Sequence, residues 1–235
     1  MEQTQHTSKQ FDADLEHIRR KVLAMGGLVE HQITTAIEAF RRNDLRLINR
    51  VIEDDNGING LEREIDGLCT AVIARRMPAA IDLRFVLVSL KMITDLERIG
   101  DEAKKIALYS RRVGDSGRFM VSRYTELKHL SLLVTRMLRH ALDSFARLDA
   151  GEVMENVRRD DEVDELFHAL LRQLLTYMIE DPRTISSSLD VIFIAKALER
   201  IGDHAKNISE YIIYLIKGTD VRHVTIERME EVARS

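Results

Sequence analysis

The sequence predicts an all-α fold made by tandem duplication of an antiparallel three-helix bundle, six long helices in total. Apolar residues recur at three- and four-residue steps along almost the whole chain, the period of a helix with one buried face. The chain of 235 residues holds only 11 glycines and two prolines, Pro78 and Pro182, too little punctuation for a fold of strands and turns. The third observation is internal identity. Leu96-Glu97-Arg98-Ile99-Gly100-Asp101 reappears 102 residues later as Leu198-Glu199-Arg200-Ile201-Gly202-Asp203, and Ala103, Lys104 and Ile106 match Ala205, Lys206 and Ile208.

The first helix is expected over about 11–42, where Leu15, Ile18, Val22, Met25, Val29, Ile33, Ile37 and Phe40 mark one stripe. Asn43-Asp44 reads as a break followed by an N-cap, opening a second helix that runs to Arg76. Pro78 closes it, because a proline disfavours helical geometry in the residue before it. A third helix follows from about Asp82 to Arg112, and Gly114-Asp115-Ser116-Gly117 is the most turn-like stretch in the chain. Beyond it the pattern repeats, with helices near 120–148, 152–180 and 187–217 and a stop at Asp181-Pro182. Shifted by 105, Ala36, Phe40, Arg42, Asp44, Asp55 and Leu61 fall on Ala141, Phe145, Arg147, Asp149, Asp160 and Leu166. The two repeats are therefore placed at 10–113 and 118–217, with 218–235 as a C-terminal tail.

Charge and composition exclude some function classes. The net charge of −4 and the interleaving of acids with bases argue against nucleic acid as a partner. The N-terminal stretch has no apolar signal core, and no apolar run approaches the roughly 20 residues of a membrane helix. A single cysteine, Cys69, cannot form an internal disulfide, and it sits among apolar neighbours as a core residue. A soluble cytoplasmic protein is expected, with docking onto a membrane protein left open. Neither a Gly-rich phosphate loop nor a G-x-S-x-G elbow is present, so nothing demands an enzyme.

The chemistry-bearing residues are carboxylates. Glu97 and Asp101 are four apart, as are Glu199 and Asp203, so each pair lies on one helix face. In the third helix they fall in line with Leu90, Ile93, Lys104 and Leu108, and acids on such a face need a cation or an arginine as compensation. The second helix offers Asp55, Asn59, Glu62 and Asp66 in a matching arc. Oxygen-rich clusters of this kind suit hard or borderline divalent ions, iron included. In the second repeat Asp160 and Asp164 take the places of Asp55 and Asn59, whereas Phe167 replaces Glu62 and leaves a poorer set. The competing reading is a solvated helix face or local salt bridges, the reading preferred for Arg98 and Arg200. Gly100 and Gly202 cost helix stability and point to close approach of a neighbouring helix or an ion cluster. Glu126–His129 and Glu165–His168 have the E-x-x-H spacing of di-iron bundles, but the wheel turns them away from the apolar stripes, as chance surface spacing would.

The two LERIGD copies, the run RRMPAAIDLR at 75–84 and the MGG at 25–27 resemble the bacterial PhoU family over about residues 10–225. The resemblance implies two three-helix bundles side by side, with carboxylate faces that bind metal clusters in some members. It also implies a negative regulator of the phosphate-starvation response, placed between a high-affinity phosphate ABC transporter and a sensor histidine kinase, and a homodimer. The family's E/D-x-x-x-D positions fall on Glu97, Asp101, Glu199 and Asp203. Its frequent following Asn is present as Asn207, while Lys105 stands at the matching place in the first repeat, where its charge would weaken the site. The alternatives are a carboxylate-bridged metal oxidase or storage bundle and a metal-free helical scaffold.

Overall fold

The structure is a computed structural model that describes residues 3–115, 125–151 and 153–234, and every described segment is helix, turn or loop with no strand. Helices α1 (Gln3–Arg42), α2 (Leu45–Arg76) and α3 (Ala80–Asp115) pack on one another as the first bundle. Helices α4 (Thr125–Arg147), α5 (Val153–Glu180) and α6 (Ile185–Lys217) form the second, and α7 (Ile226–Arg234) packs on α5 and α6. The first helix thus starts earlier than the periodicity predicts. Gly114 and Asp115 belong to the last turn of α3, while Ser116 and Gly117 lie outside the described residues.

Local chemistry sets each helix end. Asn43 takes a left-handed φ of 50°, and Asp44 then caps α2 by accepting from the amides of Arg46 (2.8 Å) and Leu47 (3.4 Å). Those amides hold the Asp44 carboxyl below its ordinary value. Met77, at φ 45°, donates its amide to Ile73 and ends α2 one residue before Pro78. Asp181 accepts from the Arg183 amide ahead of a short 3-10 turn, Pro182–Thr184, that leads into α6. Gly218 ends α6 at φ 73° with its amide on Tyr214; Arg84 crosses directly over it, so a side chain there would be both strained and blocked.

The duplication extends to the polar core. Gln32 of α1 donates to the Val51 carbonyl of α2 at 3.1 Å. Shifted by 105, these positions become Met137 and Asn156, and Asn156 of α5 donates to the Met137 carbonyl of α4 at 2.8 Å. The same helix-to-helix tie is kept with donor and acceptor exchanged, each time through the nitrogen of the buried amide. The bundles meet mainly along α3 and α6, with a second contact between α1 and α4. A Cβ on Gly26 of α1 would stand 2.5 Å from Leu142 of α4, so the glycine lets these helices approach. Phe85 of α3 stacks on Phe145 of α4 with centroids 5.8 Å apart.

Beyond α6 the C-terminal segment folds back. Val221, Met229 and Val232 are buried, and Arg158 of α5 pairs with Glu230 of α7. Ile226, Met229 and Val232 carry the helical three-residue spacing, a signal visible in the sequence.

The turn after α4 carries a testable strain. Leu148, the counterpart of Asn43, holds φ 52° and is 40% exposed, so its side chain gains little packing for a left-handed backbone that asparagine tolerates better. Leu148→Asn is expected to raise unfolding free energy by about 0.5–1 kcal/mol in urea melts; an unchanged or lower value would contradict this account of the turn.

Candidate functional site

The acidic residues sit on the flanks of α3 and α6, where each turns from its own bundle core toward solvent. Ile93, Leu96, Ile99, Ala103 and Ile106 of α3 are buried, and this fixes Glu97 and Asp101 half-buried at the edge facing α2. Ile48, Val51, Ile58 and Ile65 of α2 are buried in turn, and they bring Asp55, Asn59 and Glu62 to the same edge. A Cβ on Gly100 would lie 3.1 Å from Gln32 and 3.2 Å from Ile58, and one on Gly202 would lie 3.3 Å from Val163 and 3.4 Å from Val134. Both glycines therefore mark close approach of the bundle's own helices.

On the first face Asp55 is the innermost acid, 2% exposed, with Asn59 donating to its Oδ2 at 3.4 Å. Lost hydration, then the neighbouring Asp101, Glu62 and Asp55 charges, push Glu97 above the ordinary carboxylate value. Glu62 is raised by lost hydration and by Asp66 and Asp101. The structure thus gathers Asp55, Asn59, Glu62, Glu97 and Asp101, with Asp66 exposed at the rim. Lys104 pairs with the innermost of them, its Nζ 2.7 Å from Asp55 Oδ2. Lys105, the expected source of compensation, instead turns to Glu102 at 2.8 Å. Helical geometry explains the difference: the two lysines lie on opposite sides of Asp101 around the helix, Lys104 toward Asp55 of α2 and Lys105 toward Glu102.

The second face repeats the arrangement. Lys206, the counterpart of Lys104, pairs with Asp160, the counterpart of Asp55. Lost hydration and the Glu199, Asp160 and Asp164 charges push Asp203 up to about 6, with Lys196 opposing them. Lys196 bonds Glu199 Oε1 at 2.6 Å and stands 5.4 Å from the centroid of Phe167, the residue that replaces Glu62. This face therefore has as many gathered acids as the first, Asp164 replacing Asn59 where Phe167 replaces Glu62, and one more lysine. Asn207 does not join it. Its amide crosses to the other bundle and donates to Asp95 at 3.3 Å.

That crossing belongs to the seam between α3 and α6. Buried Asp95 meets His204 Nδ1 at 2.6 Å, and buried Glu102 meets Arg200 at 3.3 Å as well as Lys105. Arg200 therefore pairs across the interface, not with an acid of its own repeat. His129, Glu165 and His168 are exposed, in keeping with chance E-x-x-H spacing, and Cys69 is core, its thiol pushed up to about 12 by burial and by Asp66.

The donor set suits a hard divalent ion in chemistry: all oxygen, crowded and partly desolvated, with Asp55 Oδ1, Asn59 Oδ1 and Glu199 Oε2 buried and lacking a hydrogen-bond partner. As the side chains stand, however, among the described residues no three His, Cys, Asp or Glu gather closely enough to hold an ion, and a lysine holds the innermost aspartate of each face.

Two helical bundles fused along one seam, each presenting an acidic face with an inner lysine, define a helical repeat protein; no described helix is long and apolar enough to cross a membrane. The family model of the PhoU domain matches residues 22–109 and again 127–212, and the chain belongs to the PhoU family. It is 47% identical over 228 residues to the phosphate-specific transport system accessory protein PhoU homolog of Pseudomonas aeruginosa, covering 97% of this chain and 94% of that one. Identity to the Escherichia coli accessory protein PhoU is 43% over 236 residues, with 97% and 93% covered. The crystal structure of PhoU from Pseudomonas aeruginosa superposes with a TM-score of 0.84 at 45% identity, over 89% of this chain and all of the other. The phosphate transport system regulatory protein PhoU from Streptococcus pneumoniae gives 0.81 at 26% identity, over 90% and 99%.

The raised Asp203 carboxyl predicts a pH dependence. Its folded value of about 6 lies above the ordinary 3.8, so ionising it costs stability that is intact at low pH and lost as pH rises between those values. Asp203 keeps solvent access, and screening limits the effect to about 1 kcal/mol or less. In chelator-treated protein Asp203→Asn is expected to stabilise near neutral pH and to have no effect near pH 4; an equal gain at both would contradict the assignment.

Proposed function

We propose that this chain is a non-catalytic accessory protein of phosphate transport. In this reading it associates with the phosphate ABC transporter in the cytoplasm, works as a homodimer and relays phosphate sufficiency to a sensor histidine kinase as a negative regulator. The observation that carries the proposal is the nearly full-length match to relatives named for the phosphate-specific transport system, together with two PhoU domains in one chain. The kinase link and the dimer rest on the family resemblance of the sequence motifs.

The acidic faces form the second part of the proposal. Asp55, Asn59, Glu62, Glu97 and Asp101 would hold a divalent cation on the first face, and Asp160, Asp164, Glu199 and Asp203 on the second. Such an ion would neutralise crowded carboxylates and tie α2 to α3 and α5 to α6, a structural or signalling role without turnover. The uncompensated acids and partnerless acceptors favour this reading over a bare scaffold. A redox di-iron centre has less support, because His129 and His168 face outward and His204 is committed to Asp95.

The test is genetic. In a strain lacking the gene and grown in ample phosphate, a phosphate-starvation reporter is expected to be switched on and to be silenced again by the intact chain. Glu97→Gln/Asp101→Asn is expected to fold but to silence it incompletely. A reporter that stays silent in the deletion strain would reject the regulatory role, and full silencing by the double variant would reject a functional acidic face.

A further inference from the structure

Lys104 and Lys206 occupy the same repeat position, and each reaches the innermost aspartate of its acidic face, Asp55 and Asp160. The pairing is thus part of the duplicated design and not a feature of one half. Asp55 is almost fully enclosed, and a carboxylate buried there without a neighbouring positive charge would be costly. The lysine supplies that charge but satisfies the face incompletely. An ammonium offers one charge and three donors, while Asp55 Oδ1, Asn59 Oδ1 and Glu199 Oε2 remain buried acceptors without a donor. A divalent ion could use such acceptors, but it would bring two charges against the same oxygens that now face Nζ. Two cations sharing one aspartate would repel across about 4 Å in a partly desolvated site.

We propose that Lys104 and Lys206 are resident counter-cations, and that a divalent metal reaches either face only by displacing the ammonium from Asp55 or Asp160. The inference rests on the cation part of the proposed function and is independent of the link to phosphate. It separates the two faces: the first needs one lysine to move, whereas the second also carries Lys196 on Glu199. The first is therefore the better metal site. The metal-free state is held together from within, and the metal competes with a tethered group already at high local concentration.

The experiment is calorimetric titration of chelator-treated full-length protein with Mn²⁺, alongside thermal melts without metal. The variants are Lys104→Gln, Lys206→Gln and Lys104→Arg, with Lys105→Gln as control because it removes the same charge one residue away. Lys104→Gln and Lys206→Gln are each expected to tighten Mn²⁺ binding at one site by about tenfold or more. Both are expected to lower the metal-free melting temperature, and Mn²⁺ to restore it. Lys104→Arg, which keeps the counter-charge and so the fold, is expected to bind Mn²⁺ no better than the parent, as is Lys105→Gln. An equal gain from Lys105→Gln, unchanged affinity in both Gln variants, or no Mn²⁺ binding by any variant would overturn the proposal. Absence of binding with reporter silencing intact would remove the metal and leave the regulatory reading standing.

Discussion

The rest of the molecule depends on the packing of α3 against α6. Tyr109 with Phe193, Glu102 with Arg200, and Asp95 with His204 mark successive levels along the two helices, and the numbers rise on one as they fall on the other. The helices are therefore antiparallel, and the repeats are related by an approximate two-fold axis near Gly100 and Gly202. Two buried carboxylates of α3 find partners across this seam. Asp95 depends on His204 and Asn207 of the second bundle, and Glu102 of the first depends on Arg200. Separating the bundles would take His204 and Asn207 from Asp95 and Arg200 from Glu102, leaving Glu102 with Lys105 alone. The second bundle consequently completes the first, and each central helix serves three surfaces: its own core, the seam, and the acidic flank.

This division of faces accounts for the chemistry of the flank. A helix that buries two sides leaves a narrow third arc, and Glu97, Asp101 and Lys104 share it in the first repeat as Glu199, Asp203 and Lys206 do in the second. The acids lose hydration because neighbouring helices crowd them, and they crowd one another because the four-residue spacing stacks them. Divergence between the repeats then adjusts the balance. Glu62 adds an acid to the first face, whereas Phe167 removes it from the second and gives Lys196 an aromatic surface. At the seam the repeats differ further, since the counterparts of Asp95 and His204 are Ala197 and Glu102. The polar pairing there is one-sided, as suits a seam that must hold two unlike bundles in one register.

Much of this was legible in the sequence, for identifiable reasons. The long helices follow from sustained three- and four-residue apolar spacing, and their ends from Asp44, Pro78 and Asp181-Pro182, whose effects are local. The duplication was legible because identity survives in α3 and α6, the two helices that pack against each other at the seam. The pairing of acidic arcs on α2 and α3 was also visible, since wheel positions settle which side chains share a face. What the wheel does not settle is which of two neighbouring bundles a polar side chain meets. Asn207 lies one turn beyond Asp203, yet its amide is taken by Asp95 of the other repeat. Lys104 and Lys105 present the same charge in sequence, and only the placement of α2 shows that Lys104 meets the aspartate. The helix at Ile226–Arg234 shows its period only in Ile226, Met229 and Val232, a short signal set against the long stripes of the other helices.

The central claim is that the seam makes two repeats one cooperative body, with both acidic faces held in fixed register. Differential scanning calorimetry of the metal-free chain tests it most directly. One transition whose calorimetric enthalpy equals its van't Hoff enthalpy is the predicted result, because the first bundle alone loses the cross-seam partners of Asp95 and Glu102. Two resolved transitions, one for each repeat, would contradict the account and return the molecule to a pair of independently folded bundles.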